Sequence, residues 1–328
     1  MRHHFELPPE KRPAHRRATR LEWVTIAYLL TAITGIYLTL GNSQAMKTAW
    51  IEDMLSLIPP VVFLIAARIR NRPPNRTFPY GYHRVVSIAY LAAALALFLL
   101  GAILLGDALL KLVSAEHPSI GTVELFGHHL WLGWLMELAL LYSAVPAILL
   151  GRMKLPLART LHDKVLFADA KMNKADWLTA VAAMTGVVGI GLGWWWADAV
   201  AAAVISTDIL HDGYVNLRTV VTDLMDKRPT TVDDSAVDPL TARVEHEMQG
   251  LGWVRQARAR LREQGHVYFG EVLVVPRDGT DDLVARIEDA HARLRALDWR
   301  LHDVIVAPTP QIEEEIAGVE HHAQSDDD

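Results

Sequence analysis

The sequence predicts an α-helical membrane protein with six transmembrane helices, followed by a C-terminal cytosolic ferredoxin-like α+β domain. Three observations predict it: an apolar composition, six apolar runs of membrane-spanning length, and a change to alternating and amphipathic patterns beyond residue 229. Of the 328 residues, 51% are hydrophobic and only 21% are charged, and the mean hydropathy is +0.16. Soluble domains carry about 25% charged residues. Part of the chain is therefore expected to lie in lipid.

Six apolar runs are each long enough to form the ~20-residue helix that crosses a ~30 Å hydrocarbon layer. They lie near residues 22–41, 48–69, 85–112, 130–151, 170–193 and 195–217. Lysine and arginine concentrate before the first run and in the loops after the second and fourth, the last of which includes Lys154. Because such residues are retained on the cytoplasmic side, we expect both termini in the cytoplasm, most simply in a bacterial inner membrane. Residues 1–20 are expected to form a basic cytosolic arm.

Beyond the predicted transmembrane region, residues 21–228, the pattern becomes that of a small soluble domain over residues 229–312. Helices are predicted at 239–250 and 280–297, and strands at 253–262, 266–275 and 301–308. This αββαβ order is typical of a ferredoxin-like domain. Residues 313–328 are acidic and are expected to form a disordered tail.

The chain contains no cysteine, which excludes disulfides and thiolate metal sites. Any metal ligand must therefore be an oxygen, an imidazole or a thioether. The sequence contains no nucleophile and base in a recognisable constellation and no phosphate-binding glycine loop, so an enzyme is not expected. We expect no tightly bound cofactor and no nucleic-acid partner. The implied partners are the lipid membrane and a metal ion.

Two of the apolar runs contain acidic residues, although a charge at mid-depth of a bilayer costs about 2.5–3.5 kcal/mol. Glu52 and Asp53 lie in the second run. In the fifth run, Asp169, Asn173 and Asp176 stand at i, i+4 and i+7, which puts three oxygen-bearing side chains on one helix face. Two such helices could enclose a cation. Their oxygen ligands suit Mn²⁺ or Mg²⁺ and, with less selectivity, Fe²⁺ and Zn²⁺.

The fifth run also allows a purely structural interpretation. Asp169 would then belong to a cytosolic turn together with Lys171 and Lys174, and Asp176 would pair with a lysine. Met172 stands beside the polar face and is a candidate helper in the metal-binding interpretation. Because intramembrane acids are functional by default, we prefer the metal site.

Glu137 lies well inside the fourth run. It is either a carboxylate that handles protons or a hydrogen-bonding partner of a serine or tyrosine across the helix bundle. No spacing argument separates the two interpretations.

Three stretches of the sequence resemble the cation diffusion facilitator, or cation efflux, transporters. They are RNRPPNRTFPYGYHRVVSIAYL, HDKVLFADAKMNKADWLTA and GLGWWWADAVAAAVISTDILHDGYVNLRTVVTDLMD. The resemblance extends over roughly residues 20–310. It implies six helices, a cytosolic ferredoxin-like domain, a homodimer, and export of a divalent metal cation in exchange for protons.

The resemblance also implies a transport site built from two pairs of residues, one in the second span and one in the fifth. Counting from ADAV at 197–200 puts the fifth-span pair on Met172 and Asp176. Counting from PYGYHR puts the second-span pair on Glu52 and Ser56, and a shift by one residue puts it on Asp53 and Leu57. Asn173 and Asp169 would assist.

The chain departs from the family pattern because none of these positions holds a histidine. Zinc is therefore not the obvious cargo, and the transported cation is expected among Mn²⁺, Fe²⁺, Co²⁺ and Zn²⁺. The loop positions that bind a second metal in some members are Asn75, Phe78 and Tyr82 here, so that accessory site is not expected. The alternative is a membrane scaffold or sensor that no longer transports because its metal site has decayed.

Overall fold

The computed structural model describes residues 7–69, 72, 74–125, 127–265, 267–277 and 282–312, with the backbone alone at 86, 125 and 174–176. The chain divides into two compact units, Met1–Met225 and Asp226–Asp328. The predicted acidic tail, 313–328, lies outside the described residues.

The first unit is a helical bundle. Its helices are α1 (Arg12–Thr39), α2 (Gln44–Leu55), α3 (Ile58–Ile69), α4 (Arg84–Val113), α5 (Leu132–Leu161), α6 (Lys164–Gly191) and α7 (Ala197–Leu224). An antiparallel hairpin of β1 (Thr122–Leu125) and β2 (His128–Trp131) precedes α5. Helix α1 begins at Arg12, so part of the predicted basic arm is the first turns of this helix.

Four segments of the described chain are long and apolar enough to cross a membrane: Arg12–Thr39, Gln44–Ile69, Ser87–Val113 and Leu132–Leu161. They correspond to the first four predicted spans. Helices α6 and α7 have 28 residues each and are not among these four.

The second span is broken into α2 and α3 at Ser56 and Leu57. Pro59 and Pro60 follow at once in the first turn of α3. A proline is tolerated in the first turn of a helix but cannot continue one, because it lacks an N–H and its ring clashes with the preceding turn. The Ser56 N–H bonds the carbonyl of Glu52 at 2.9 Å and closes α2.

Helix pairs pack along their length, α4 on α7 and α5 on α6, while α1 lies against α5. Glycines allow the approach of α4 and α7. A methyl group at Gly101 would lie 2.8 Å from the backbone nitrogen of Leu210, and one at Gly213 would lie 2.6 Å from Phe98. Small residues at helix contacts are the usual means of close packing in membranes.

Asp198, on α7, fixes the start of α2. Its carboxylate, on a residue that is 1% exposed, accepts hydrogen bonds from Ser43 Oγ (2.6 Å), Gln44 N (2.5 Å) and Ala45 N (3.1 Å). The first N–H groups of a helix have no partner within the helix and carry partial positive charge. A carboxylate placed there accepts hydrogen bonds from these N–H groups, compensates their partial positive charge and holds α2 against α7.

The second unit has the element order α8 (Leu240–Gln249), β3 (Val254–Gln264), β4 (Val267–Pro276), α9 (Leu283–Leu297) and β5 (Leu301–Pro308). The sheet order is β3-β4-β5, with β3 antiparallel and β5 parallel to β4. The core lies between the sheet and the two helices and includes Val244, Met248, Tyr268 and Leu294. The αββαβ order is the predicted one, and its ferredoxin-like classification stays a prediction.

A polar network lies beside this core. Asp238, which is 4% exposed, accepts hydrogen bonds from Tyr268 Oη (2.9 Å) and Arg300 Nη1 (2.7 Å), and Arg300 also pairs with Asp298. Burial alone would raise the pKa of Asp238. The hydrogen bond from the Leu240 N–H and the Arg300 guanidinium outweigh burial and hold this pKa below its usual range.

Replacing Asp198 with Ala should destabilise the bundle, because three hydrogen bonds to one buried carboxylate are lost and each such charge-assisted bond contributes about 1.5–3 kcal/mol. The melting temperature of the detergent-solubilised protein measures this. Asp208→Ala, which removes a half-buried acid from the same helix, is the matched control and should have a smaller effect. An equal effect of the two changes would show that Asp198 does not anchor α2.

The stability of the second unit should fall as the pH drops below about 4. A carboxylate whose pKa is lowered by folding contributes its stability above its unfolded pKa and loses it as the pH falls through the folded pKa. Urea unfolding of residues 226–312 between pH 7 and pH 3 measures this. Asp238→Asn should weaken the dependence, whereas Asp289→Asn, at an exposed acid, should preserve it. An unchanged pH profile in Asp238→Asn would contradict this account.

Candidate cation site

The end of α2 faces a small cavity inside the first unit. Glu52 and Asp53 line it from α2, and the cavity leaves about 10 Å³ for the centre of a water-sized sphere, which is close to the ~10–15 Å³ that one water needs. The space therefore suits a single small particle. The other lining residues come from α1, α2, α5 and α6: Ile36, Ala49, Leu140, Ser143, Thr179 and Ala180.

Two hydroxyl groups bind the two carboxylates. Ser143 Oγ, on α5, donates to Asp53 Oδ2 at 2.6 Å, and Thr179 Oγ1, on α6, donates to Glu52 Oε1 at 3.0 Å. The adjacent acids thus reach toward different helices from one turn of α2. Four oxygen-bearing side chains from three helices meet at this cavity. Oxygen is the ligand that hard divalent cations prefer.

The break after α2 adds to the negative potential of this region. The last carbonyls of a helix carry partial negative charge, equivalent to about half an elementary charge at an isolated end. Glu52 and Asp53 lie in the last turn of α2, close to its end at Leu55. Both the side chains and the helix end therefore favour a cation. Broken helices at mid-membrane serve the same purpose in other transporters.

Ser56 does not line this cavity. It is buried, and it closes α2 through its backbone. The sequence allowed two second-span pairs, Glu52 with Ser56 and Asp53 with Leu57. The first member of each pair lines the cavity, and the second member does not.

Asp169 and Asn173 were expected to assist the metal site, but they do not line the cavity at Glu52. Asp169 Oδ2 pairs with Lys154 Nζ at 2.5 Å, and Asn173 Nδ2 donates to Asp169 Oδ1 at 3.1 Å. Lys154 Nζ also contacts Glu22 Oε2 at 2.9 Å. The carboxylate of Asp169 thus faces an ammonium group and not the cavity at Glu52.

Asp176 and Met172 both belong to α6. Asp176 stands three residues before Thr179, but its side chain lies outside the described residues. Met172 is half-buried and is not one of the residues that line the cavity. No group of three or more His, Asp or Glu side chains surrounds a common point in the described part of the chain.

The sequence prediction for Lys154 was wrong in its location. It was expected in a cytoplasmic loop, but α5 continues to Leu161 and Lys154 is fully buried within it. Its charge is compensated by Glu22 and Asp169, which lie 132 and 15 residues away in the sequence. Sequence reasoning also missed Ser143 and Thr179. The position of Thr179, one helical turn after Asp176, was the available signal for Thr179.

Asp107 and Glu137 are two further acids of the first unit, and neither lines the cavity. Asp107 contacts Lys111 at 3.6 Å and Lys47 at 3.8 Å, and it also accepts a hydrogen bond from Gln44. Glu137 Oε1 is buried, and no hydrogen-bond partner for it occurs among the residues that the structure describes. The hydrogen bond across the bundle, one of the two interpretations of Glu137, is therefore not seen at this oxygen.

Comparison with known proteins agrees with this architecture. Residues 23–225 match the model of the cation efflux transmembrane domain. The manganese efflux system protein MneS of Bacillus subtilis is 28% identical over 55% of this chain and 58% of its own length. The manganese efflux system protein MneP of the same organism is 25% identical over 69% of this chain and 72% of its own length.

A third relative, the putative transporter MamV of Paramagnetospirillum magneticum, is 24% identical over 90% of this chain and 81% of its own length. The chain thus spans little more than half of MneS but most of MamV. The family model covers more than half of this chain and includes every helix that contributes to the cavity. The chain therefore belongs to the cation efflux family, the cation diffusion facilitators, whose members are transporters rather than enzymes.

Proposed function

We propose that this protein exports a divalent metal cation across a membrane in exchange for protons, and that the cation binds in the cavity beside Glu52 and Asp53. The observation that carries the proposal is the convergence of these carboxylates with the hydroxyls of Ser143 and Thr179 on a space for one small particle. Two carboxylates compensate the charge of a divalent cation.

The chemistry of the cavity favours Mn²⁺ among the candidate cargoes. Its described polar lining consists of carboxylate and hydroxyl oxygens, which suit Mn²⁺ better than the nitrogen and sulfur ligands typical of zinc sites. Two of the relatives carry names that describe manganese efflux. Fe²⁺, Co²⁺ and Zn²⁺ are the comparison ions in any transport measurement.

Helices α6 and α7 are proposed as the fifth and sixth spans. Each has 28 residues and is thus about 42 Å long, more than enough for a ~30 Å hydrocarbon layer. Their polar character has a structural reason, since Asp169 is neutralised by Lys154 and Asp198 by the start of α2. An even number of spans puts both termini on one side. By the distribution of lysine and arginine, that side is the cytoplasm, as in a bacterial inner membrane.

Asp176 is the proposed third carboxylate of the site. It stands on α6 one helical turn before Thr179, whose hydroxyl binds Glu52. A homodimer and a ferredoxin-like C-terminal domain complete the proposed architecture, as the family resemblance implies.

Asp176→Asn should abolish metal uptake into vesicles that contain the purified protein, with little loss of folded protein. The change preserves size and one oxygen but removes the charge that a cation needs. Uptake of Mn²⁺, Fe²⁺, Co²⁺ and Zn²⁺, normalised to inserted protein, is the measurement. Asp208→Asn, on α7 outside the cavity lining, is the control. Near-wild-type uptake of every metal by Asp176→Asn would remove this residue from the site and favour the non-transporting scaffold.

Thr179→Val should raise the metal concentration needed for half-maximal uptake by about 10-fold, because a group that binds and orients a ligand typically contributes 10–100-fold in metal affinity. Valine preserves the shape of threonine and removes only the hydroxyl. Thr185→Val is the matched control, since Thr185 is exposed on the same helix and bonds only the carbonyl of Val181 among the contacts described for it. Equal uptake curves for the two variants would show that the cavity at Glu52 is not where the cation binds.

A further inference from the structure

A second cluster of charged residues lies inside the bundle, apart from the cavity. Lys154 Nζ, on α5, contacts Glu22 Oε2 of α1 at 2.9 Å and Asp169 Oδ2 of α6 at 2.5 Å. The side chains of Glu22 and Lys154 are fully buried, and that of Asp169 is 3% exposed. We call these three residues the buried triad. It links the three helices α1, α5 and α6.

The charges of the buried triad do not balance when all three groups are ionised. Two carboxylates share one ammonium, which leaves one net negative charge where water is excluded. A buried charge without a counter-charge is unfavourable, and at mid-depth of a bilayer the cost is about 2.5–3.5 kcal/mol. Two carboxylates that share a site hold one proton between them for the same reason, since like charges at short range cannot both be tolerated.

Two buried oxygen atoms in and beside the triad lack a hydrogen-bond donor among the described residues. Glu22 Oε1 and Asn173 Oδ1 are buried oxygens for which the described residues supply no hydrogen-bond partner. Asp169, by contrast, accepts a bond from Asn173 in addition to the short contact with Lys154. The Asp169 carboxylate thus has two hydrogen-bond donors and that of Glu22 has one, which favours a proton on Glu22.

The helices that pack around the triad bring few other charges to it. Asp163, the N-cap of α6, is the next acid to act on Glu22. Helix α3, which packs on α1 and α6, contributes the apolar Phe63 and Leu64 to a cluster with Ala18, and its Arg68 is exposed.

Helix α7, which also packs on α6, carries Asp212, which acts electrostatically on Lys171. Helix α2 packs on α1 and α6 and carries Glu52 and Asp53, which face the cavity. Helix α5 adds Arg152, which is exposed. Within the described residues, Lys154 is thus the cation to which both Glu22 and Asp169 are paired.

The buried triad and the cavity lie on the same three helices. On α1 they are separated by the 14 residues from Glu22 to Ile36, on α5 by the 11 from Ser143 to Lys154, and on α6 by the 10 from Asp169 to Thr179. At 1.5 Å per residue these spacings correspond to about 15–21 Å. The cavity and the buried triad therefore both depend on how these three helices pack.

We propose that the buried triad binds one proton, held on Glu22, and that it is the proton-binding site of the antiport, separate from the cation site. This inference rests on the proposed function. With the proton bound, the triad is neutral and holds α1, α5 and α6 together. Loss of the proton leaves two carboxylates on one ammonium, and their repulsion favours separation of α1 from α6. Proton release is thereby coupled to opening of the bundle.

Glu22→Gln tests the proposal in vesicles that contain the full chain, because glutamine imitates the protonated carboxyl. Exchange of Mn²⁺ for Mn²⁺ without a pH gradient should continue at a reduced rate, because a permanently neutral triad favours the packed helices, while stimulation of uptake by a pH gradient should be lost. Glu137→Gln, at another glutamate of the first unit with a buried oxygen for which the described residues supply no partner, is the matched control and should preserve the stimulation. Stimulation that survives in Glu22→Gln, or that is lost only in Glu137→Gln, would overturn the proposal.

Infrared spectroscopy detects a protonated carboxyl directly, without a transport measurement. The infrared spectrum of the wild-type protein at neutral pH should contain the carbonyl stretch of a protonated carboxyl that is absent from Glu22→Gln. If the wild-type protein exchanges no metal while this band is present, the proposed transport fails and the proton site stands. If the band is absent from the wild type, or is unchanged in Glu22→Gln, the proton site fails. Should Glu22→Gln not fold, the band should be lost from Asp169→Asn, where the Glu22 carboxylate and the Lys154 ammonium neutralise each other without a proton. It should persist in Lys154→Met, where no ammonium remains and the two carboxyls stay protonated. Persistence of the band in Asp169→Asn would overturn the assignment.

Discussion

Carboxylates inside an apolar helical bundle must be compensated, and in the first unit three different partners do this. Asp198 is compensated by the first N–H groups of α2, and Asp169 by the ammonium of Lys154. Asp53 accepts its hydrogen bond from a neutral hydroxyl, that of Ser143. A hydroxyl satisfies hydrogen bonding but brings no positive charge. A cation beside Asp53 would therefore supply the charge compensation that the hydroxyl does not.

The break in the second span makes this arrangement possible. Pro59 and Pro60 end the helical path that began at Gln44, so that α2 is a short helix whose start is held by Asp198 and whose end reaches the cavity. Its positive end is neutralised by a carboxylate. Its negative end, with Glu52 and Asp53 in the last turn, is left facing the space where four helices contribute side chains. The negative end of the α2 dipole therefore points toward the cavity.

Much of the fold could be predicted from the sequence because it is encoded locally. The αββαβ order of the second unit follows from periodicity, and the strands begin within one residue of their predicted starts. The candidate acids of the second span were also recognisable, since charges are rare in apolar runs. In contrast, α1 and α5 extend beyond the predicted apolar runs, because hydropathy marks the part of a helix in lipid and not its ends.

The buried triad could not be predicted in this way. Lys154 looks like a loop residue in sequence, and only its contact with Glu22, 132 residues away, explains its burial. Asp169 and Asp176 stand on one face of α6 by spacing, yet tertiary contacts commit Asp169 to a different partner. Spacing identifies which side chains share a helix face. It does not identify which neighbouring helix that part of the face meets.

The central claim is that a divalent cation binds between α2, α5 and α6 beside Glu52 and Asp53. Anomalous X-ray diffraction from crystals soaked in Mn²⁺ tests it most directly, because the anomalous signal locates the metal without reference to transport. The account predicts a peak within about 2.0–2.6 Å of oxygens of Glu52 or Asp53, the range of ligand distances in oxygen-coordinated metal sites. A peak at another group of residues, with none in this cavity, would contradict it.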